Sequence, residues 1–114
     1  MEDNLIETLE ALGYPVYLQG SLLPDQPYPD SFFTFWNDSA DGASFYDDYE
    51  NSITWMYSVN FYSNKPELVN SELLRAKKAL KAKGWVVNGA GYSVMSDEIT
   101  HTGRGIECFY LERI

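Results

Sequence analysis

The sequence predicts an α+β fold, a largely antiparallel β-sheet with two helices packed on it, in the order α-β-β-β-α-β-β within one domain. Residues 53–63 alternate between large apolar and mainly polar side chains, as expected of a strand with one face in a core. Residues 67–83 instead repeat apolar side chains at helical spacing. Between the other short apolar segments lie clusters of Gly, Asp, Asn and Ser, which favour turns between short strands.

The centre of the predicted fold is the strand at residues 53–63 and the helix that follows it. Large apolar side chains occupy the odd positions of this strand and are expected to form its core face: Ile53, Trp55, Tyr57, Val59 and Phe61. The next residues indicate a helix start, with Asn64 as N-cap, Pro66 in the first turn and Glu67 closing a capping box.

The N-terminal half alternates between regular structure and turns. We predict a helix at residues 4–12, capped by Asp3 or Asn4 and ended by Gly13, and then a strand at 14–19. An ordered loop at 20–31 leads to a strand at 32–37 that is covered on both faces. A turn follows at 38–44, and residues 45–51 form either an irregular strand entry or an exposed acidic arm. Aromatic residues on both faces of residues 32–37 are the reason to expect cover on both sides.

The helix at residues 67–83 has a core stripe and a basic face. Its apolar stripe consists of Val69, Leu73, Ala76 and Leu80. At 100° per residue, Leu74 lies apart from that stripe, on the exposed side with Lys77, Lys78 and Lys81. We expect Gly84 to end the helix and residues 85–87 to return to the sheet. Residues 88–91 are expected to turn. The last two strands, at 92–99 and 105–112, are expected to be joined by a hairpin loop.

The charge is distributed unevenly along the chain. The formal net charge is −9, yet residues 1–64 contain eleven acidic residues and no Lys or Arg, whereas the remainder contains eight basic and six acidic residues. This balance argues against nucleic-acid or anionic-membrane binding. No apolar run approaches the length of about 18 residues that a membrane span needs. The N-terminus lacks the positive charge expected of a secretory signal. The chain has a single cysteine and so cannot form an internal disulfide, which predicts a reducing compartment.

The chain offers few groups for chemistry. One His and one Cys make a zinc site improbable, and Asp47, Asp48 and Glu50 lack the spacing of a calcium loop. Cys108 alternates with Ile106 and Tyr110 and is expected in the core, while His101 is expected in an exposed loop. The glycines at 103 and 105 are attributed to turns. We therefore expect no enzymatic activity, no cofactor and no bound metal.

Several segments resemble a family of small proteins from long-tailed phages and prophages. They are PVYLQG (residues 15–20), YPDSFFTF (28–35), VNFYS (59–63), GYSV (91–94) and DEITHTGRG (97–105). The family comprises tail-terminator and head–tail joining (tail-completion) proteins. The resemblance implies an α+β protomer that forms a ring, typically a hexamer, and that contacts tail-tube and head-connector proteins. It also implies residence in the virion, with assembly in the host cytoplasm.

The uneven charge and Leu74 suggest how copies meet. We expect the basic face of the helix, with Leu74, Lys77, Lys78 and Lys81, to contact an acidic surface of the adjacent subunit contributed by Asp47, Asp48 and Glu50. Two other classes of function remain open. An acidic inhibitor that mimics DNA would use the acidic half of the chain, and a small regulatory domain would bind a ligand.

Overall fold

Two helices lie on one face of a six-stranded sheet in the computed structural model, which describes residues 2–19, 29–42, 52–89, 91–96 and 100–113. The helices are α1 (Glu2–Glu10) and α2 (Pro66–Ala82). The strands, in chain order, are β1 (Val16–Leu18), β2 (Ser31–Gly42), β3 (Ser52–Ser63), β4 (Val86–Val87), β5 (Tyr92–Val94) and β6 (Thr102–Arg113). The predicted α+β class is confirmed.

The strand order across the sheet is β1-β2-β3-β6-β4, and β5 also pairs with β6. The pairing of β1 with β2 is parallel, and all the other pairings are antiparallel. Because β4 and β5 run parallel to β3 with β6 between them, α2 is the crossover of a split β-α-β unit. The predicted element order holds with one addition, since the segment that returns from α2 pairs as the separate short strand β4.

The core lies between the sheet and the helices. Tyr57, Val59 and Phe61 of β3 are buried there, as their alternation predicts. The predicted stripe of α2 packs on them and on β6, with Val69, Leu73, Ala76 and Leu80 all buried. Leu5 and Leu9 of α1 complete the layer. We call the opposite surface of the sheet the open face.

The helix ends differ from the predicted caps at their N-termini. Helix α2 begins at Pro66 after an extended Lys65 that has no side-chain cap. Asn64 is not the cap, because its Nδ2 donates to Asp30 Oδ1 at 3.1 Å. Ser63 Oγ instead accepts the Lys65 N–H at 3.0 Å. The capping box is therefore wrong, since a tertiary hydrogen bond takes the Asn64 side chain away from the helix.

Helix α1 begins two residues earlier than predicted, so Asp3 and Asn4 are helical residues rather than caps. The Asn4 side chain accepts a hydrogen bond from Trp85 Nε1 at 3.1 Å, which ties α1 to the segment after α2. The predicted ends at glycine hold. Gly13 and Gly84 both have positive φ, and the Trp85 N–H to Leu80 carbonyl bond closes a Schellman motif at the end of α2.

Strand β2 is longer than predicted. Residues 38–42, expected in a turn, continue the antiparallel pairing with β3 after a bulge between Asn37 and Ser39. The bulge accommodates Asp38, whose Oδ2 accepts a hydrogen bond from Ser58 Oγ at 2.7 Å. Pairing with the long β3 overrides the poor strand preference of Asp, Ser and Gly. Residues 43–51, including 45–51, for which the sequence gives two alternatives, lie outside the described residues.

The last hairpin also differs from the prediction. Strand β6 begins at Thr102, inside the expected loop, and β5 ends at Val94. Neither Gly103 nor Gly105 has positive φ. A Cβ at Gly103 would lie 2.6 Å from the Tyr62 ring, and a Cβ at Gly105 would overlap Asn60 Oδ1. These glycines are thus explained by side chains of β3 that cross β6 on the open face, and not by turns.

Candidate functional site

The exposed flank of α2 is the first candidate surface. Leu74 is 47% exposed, as its helical position predicts, and Lys78 and Lys81 are exposed beside it. We call these three residues the helix face. An exposed leucine between two lysines combines an apolar centre with positive charge, which suits contact with an acidic partner surface.

Lys77 has a different position from the other predicted residues of this surface. Its side chain is half-buried, and its Nζ donates to the carbonyl oxygen of Gly89 in the turn between β4 and β5. Arg104 Nη2 donates to the carbonyl oxygen of Gly91 in the same turn at 3.0 Å. Lys77 therefore holds the turn, and the helix face depends on Lys78 and Lys81 for its charge.

Arg75 is compensated by a neighbour on its own helix. Its Nη1 forms an ion pair with Glu72 Oε2, three residues earlier. Glu72 also contacts the phenol of Tyr14, and burial followed by this carboxylate raises the pKa of Tyr14. Because the Arg75 side chain is half exposed, water screens this pair and it contributes little to stability. The ion pair does reduce the net positive charge that Arg75 adds to the surface of α2, which is therefore less basic than its number of Lys and Arg residues suggests.

The acidic residues assigned to the opposing surface, Asp47, Asp48 and Glu50, lie outside the described residues. Their contact with the helix face stays a prediction.

The open face carries a second candidate surface, which the sequence reasoning missed. Trp36, Val86 and Leu111 are 52%, 56% and 54% exposed. Between them lies the half-buried pair formed by Met56 and Phe109, which face each other across β3 and β6. Large apolar side chains grouped on one sheet surface indicate a binding surface more than scattered ones would.

Two carboxylates lie beside these apolar groups. Asp38 follows Trp36 at the bulge, and Glu107 is opposite Ser58 in the β3–β6 pair, so that Ser58 lies between Trp36 and Glu107 in one row across the sheet. Both acids are exposed. Burial, with smaller contributions from these two carboxylates, raises the pKa of the neighbouring Tyr92 phenol, while a hydrogen bond with Ser58 lowers it. We call Trp36, Val86, Leu111, Asp38 and Glu107 the sheet patch.

The sheet patch ends where other residues cover the open face. Phe32 is buried and stacks on Tyr62 with ring centroids 5.3 Å apart, and His101 packs against Phe32. Between this aromatic group and the patch, Thr34 Oγ1 donates to Gln19 Oε1 at 2.7 Å. The predicted cover on both faces of β2 is therefore right at Phe32 and wrong at Trp36.

The described basic side chains lie on one layer of the protomer, whereas the only charged groups of the sheet patch are carboxylates. Among the side chains that the structure describes, every Lys and Arg belongs to α2 and its two caps or, for Arg104, to the helix side of β6. Asp38 and Glu107 point to the other side of the sheet. The helix face and the sheet patch thus lie on opposite layers and carry opposite charge.

The residues considered for catalysis are apart from one another. Cys108 is fully buried on the helix side of β6, and burial raises the pKa of its thiol to about 12. His101 is on the other side of the sheet and half-buried, not exposed, with Nε2 2.8 Å from the Pro29 carbonyl oxygen. In the described residues, no three His, Cys, Asp or Glu side chains converge on a point where a metal ion could bind.

A half-open cleft of about 490 Å³ separates α1 from α2. Small and apolar groups from α2 and from the turn after α1 line it, among them Ala11, Leu12, Ala79 and Ala82, with Glu7 and Lys83 at its sides. It lies on the flank of α2 that faces α1, away from the helix face.

These features define a small α+β protein with two candidate interaction surfaces of opposite charge. Comparison of the sequence with known protein families and with curated proteins finds no match. None of the helices in the described ranges combines the length and apolar character needed to cross a membrane.

Proposed function

We propose that this chain is a structural virion protein of a long-tailed phage or prophage, acting as a ring-forming tail terminator or head–tail joining protein. The specific role is supported by the resemblance in the five segments between residues 15 and 105. The general role, assembly into a homo-oligomer, is supported by the surfaces of the protomer. The proposal includes no enzymatic activity and no cofactor.

The observation that carries the assembly proposal is the position of Leu74. It is adjacent in sequence to Leu73, which is buried, but it points away from the core and is exposed between Lys78 and Lys81. A helix that needed only its core stripe would not require a large apolar residue at this position. In a contact between subunits, Leu74 would supply buried apolar area and the lysines would set orientation.

A ring follows if the surface that receives the helix face lies elsewhere on the next copy. Such heterologous contacts produce closed rings when the rotation between copies closes. Using the lysines at the contacts would leave the rest of an acidic chain facing the lumen and the exterior. A negative lumen suits the passage of DNA, because it avoids strong contacts with phosphates. The partners outside the ring would be the tail tube and the head connector.

Electron microscopy of the purified protein, with light scattering after size exclusion, tests the proposal. We expect rings for the wild type and smaller species for Leu74→Asp, because this substitution places a charge in the contact. Leu18→Asp is a matched control, since Leu18 is also 47% exposed but lies on the edge strand β1. Circular dichroism verifies that both variants fold.

Three results would contradict the proposal in different ways. A wild type that is monomeric at every concentration would exclude self-assembly and favour the inhibitor or regulatory classes. Rings that persist in Leu74→Asp and in Lys78→Glu/Lys81→Glu would exclude the helix face. Equal loss of rings in Leu74→Asp and Leu18→Asp would mean that any new surface charge disrupts assembly, which removes the argument from Leu74.

A further inference from the structure

We infer that the sheet patch of one copy is the surface that receives the helix face of the next copy. The inference rests on the proposed self-assembly and adds the identity of the acceptor surface. It assigns the acceptor to Trp36, Val86 and Leu111 with Asp38 and Glu107, in place of the predicted Asp47, Asp48 and Glu50.

Charge complementarity is the first argument for this pairing. The helix face presents Lys78 and Lys81, while the sheet patch presents Asp38 and Glu107. The described basic side chains are confined to the helix layer. If two copies joined sheet patch to sheet patch, the carboxylates of both copies would therefore face each other, and no described Lys or Arg would lie between them. Opposite charges also steer encounter and exclude the wrong pairing.

The apolar residues are the second argument. Trp36 and Leu111 are more than half exposed on a twelve-residue strand each, and Leu74 is nearly half exposed on α2. Aromatic residues at the centre with charged residues at the rim are typical of specific protein interfaces. Each surface has an apolar part flanked by charges of one sign. When the helix face meets the sheet patch, Leu74 can pack against the apolar residues of the patch while the lysines face its carboxylates.

The location of the two surfaces decides the type of contact. The helix face is on the helix layer and the sheet patch is on the opposite side of the sheet. A two-fold pair that used both contacts at once would need them on the same side of the protomer. Head-to-tail contacts need no such arrangement, and they continue from copy to copy, forming a ring where the rotation between copies closes.

The experiment reverses the charges of one surface at a time and then mixes the products. Lys78→Glu/Lys81→Glu makes the helix face negative, and Asp38→Lys/Glu107→Lys makes the sheet patch positive. Each variant alone should lose assembly, with an apparent Kd raised about tenfold or more, because like charges then face each other. An equimolar mixture should reassemble with the two variants in alternation, since every contact again joins opposite charges.

Matched controls separate the contact from a change in net charge. Lys65→Glu/Lys83→Glu adds the same negative charge outside the helix face, and Glu7→Lys/Glu10→Lys adds the same positive charge on α1; all four residues are exposed. Both controls should assemble as the wild type does. Native mass spectrometry measures the composition of the mixture, and circular dichroism verifies folding before mixing.

Each outcome bears on the inference. Reassembly of the mixture supports it. Loss of assembly in the helix-face variant alone, with the sheet-patch variant unchanged, overturns the acceptor assignment and leaves the proposed function standing; Asp47→Lys/Asp48→Lys/Glu50→Lys is then the variant that should dissociate. Two dissociated variants that fail to reassemble on mixing also overturn the assignment. A monomeric wild type overturns both this inference and the proposed function.

Discussion

Cys108 lies directly opposite Tyr57 in the pairing of β6 with β3, with its Sγ 3.7 Å from the Tyr57 carbonyl oxygen. Both side chains are buried beneath the helices. Burial raises the pKa of the Cys108 thiol to about 12, and burial, with the Glu2 carboxylate in addition, raises the pKa of the Tyr57 phenol to about 12. Cys108 is therefore a core residue that stays protonated near neutral pH.

Cys108 should resist thiol reagents in the folded protein. The native chain should show little labelling near neutral pH and rapid labelling after denaturant is added, because both exposure and thiolate formation require unfolding. A chromogenic disulfide reagent followed over time gives the two rates. Rapid labelling without denaturant would mean that β6 is shifted by one residue, which would turn Cys108 to the open face.

Stability should fall at alkaline pH. Because the pKa of each buried group is raised above its ordinary value, 9.0 for the thiol and 10.0 for the phenol, the unfolded chain loses these protons first as pH rises. Below its ordinary pKa, each group contributes its full share to the free energy of unfolding. Above that pKa this contribution decreases, by up to about 1.4 kcal/mol per pH unit, until about pH 12.

Urea unfolding at several pH values between about 8 and 11 measures this decline. In Cys108→Ala the decline should begin nearer the ordinary pKa of tyrosine, because only the phenols remain. An unfolding free energy that is constant over this range in the wild type would contradict the burial of both groups.

The adjacent leucines of α2 should differ sharply in their effect on the fold. Leu73→Ala should lower the free energy of unfolding by roughly 2–5 kcal/mol, because it leaves a cavity between α2 and the sheet. Leu74→Ala should change it by less than about 0.5 kcal/mol at concentrations where the protein is monomeric. Similar losses in the two variants would mean that the orientation of α2 is wrong.

Gly105 should not tolerate a side chain. Gly105→Ala places a Cβ against Asn60 Oδ1 and near the rings and methyl groups of β5. We expect a loss of about 1–3 kcal/mol, as in other overpacked sites. Asn60→Ala should recover part of that loss in the double variant, and a double-mutant cycle from urea unfolding measures the coupling. If the losses in free energy of unfolding of the two single variants simply added in the double variant, Asn60 would not be in contact with residue 105.

Elements with a strong period were predictable. The alternation of β3 and the apolar stripe of α2 both follow from the sequence, because side-chain spacing decides which face a residue occupies once the element forms. The positions of Leu74 and Cys108 follow for the same reason. The extension of β2 to Gly42 was not predictable, because it depends on pairing with β3 and not on the local preferences of Asp, Ser and Gly.

The helix N-termini show a second limit. Asn64 and Asn4 are good capping residues by type, yet one bonds to Asp30 and the other accepts from Trp85. A polar side chain near a helix end has several possible partners, and the tertiary arrangement selects one. The same applies to Lys77, whose place among the lysines of α2 could not reveal that it binds the carbonyl of Gly89.

The sequence by itself determined the α+β class, the core stripe of α2, and the exposure of Leu74 beside Lys78 and Lys81, because periodicity and composition act within one element. Only the tertiary structure decided that Trp36, Val86 and Leu111 share one surface with Asp38 and Glu107. These residues come from β2, β4 and β6, and strand order and register bring them together. A surface built across strands has no periodic signature in any single segment of the chain, which is why the sheet patch emerged only from the pairing of the strands.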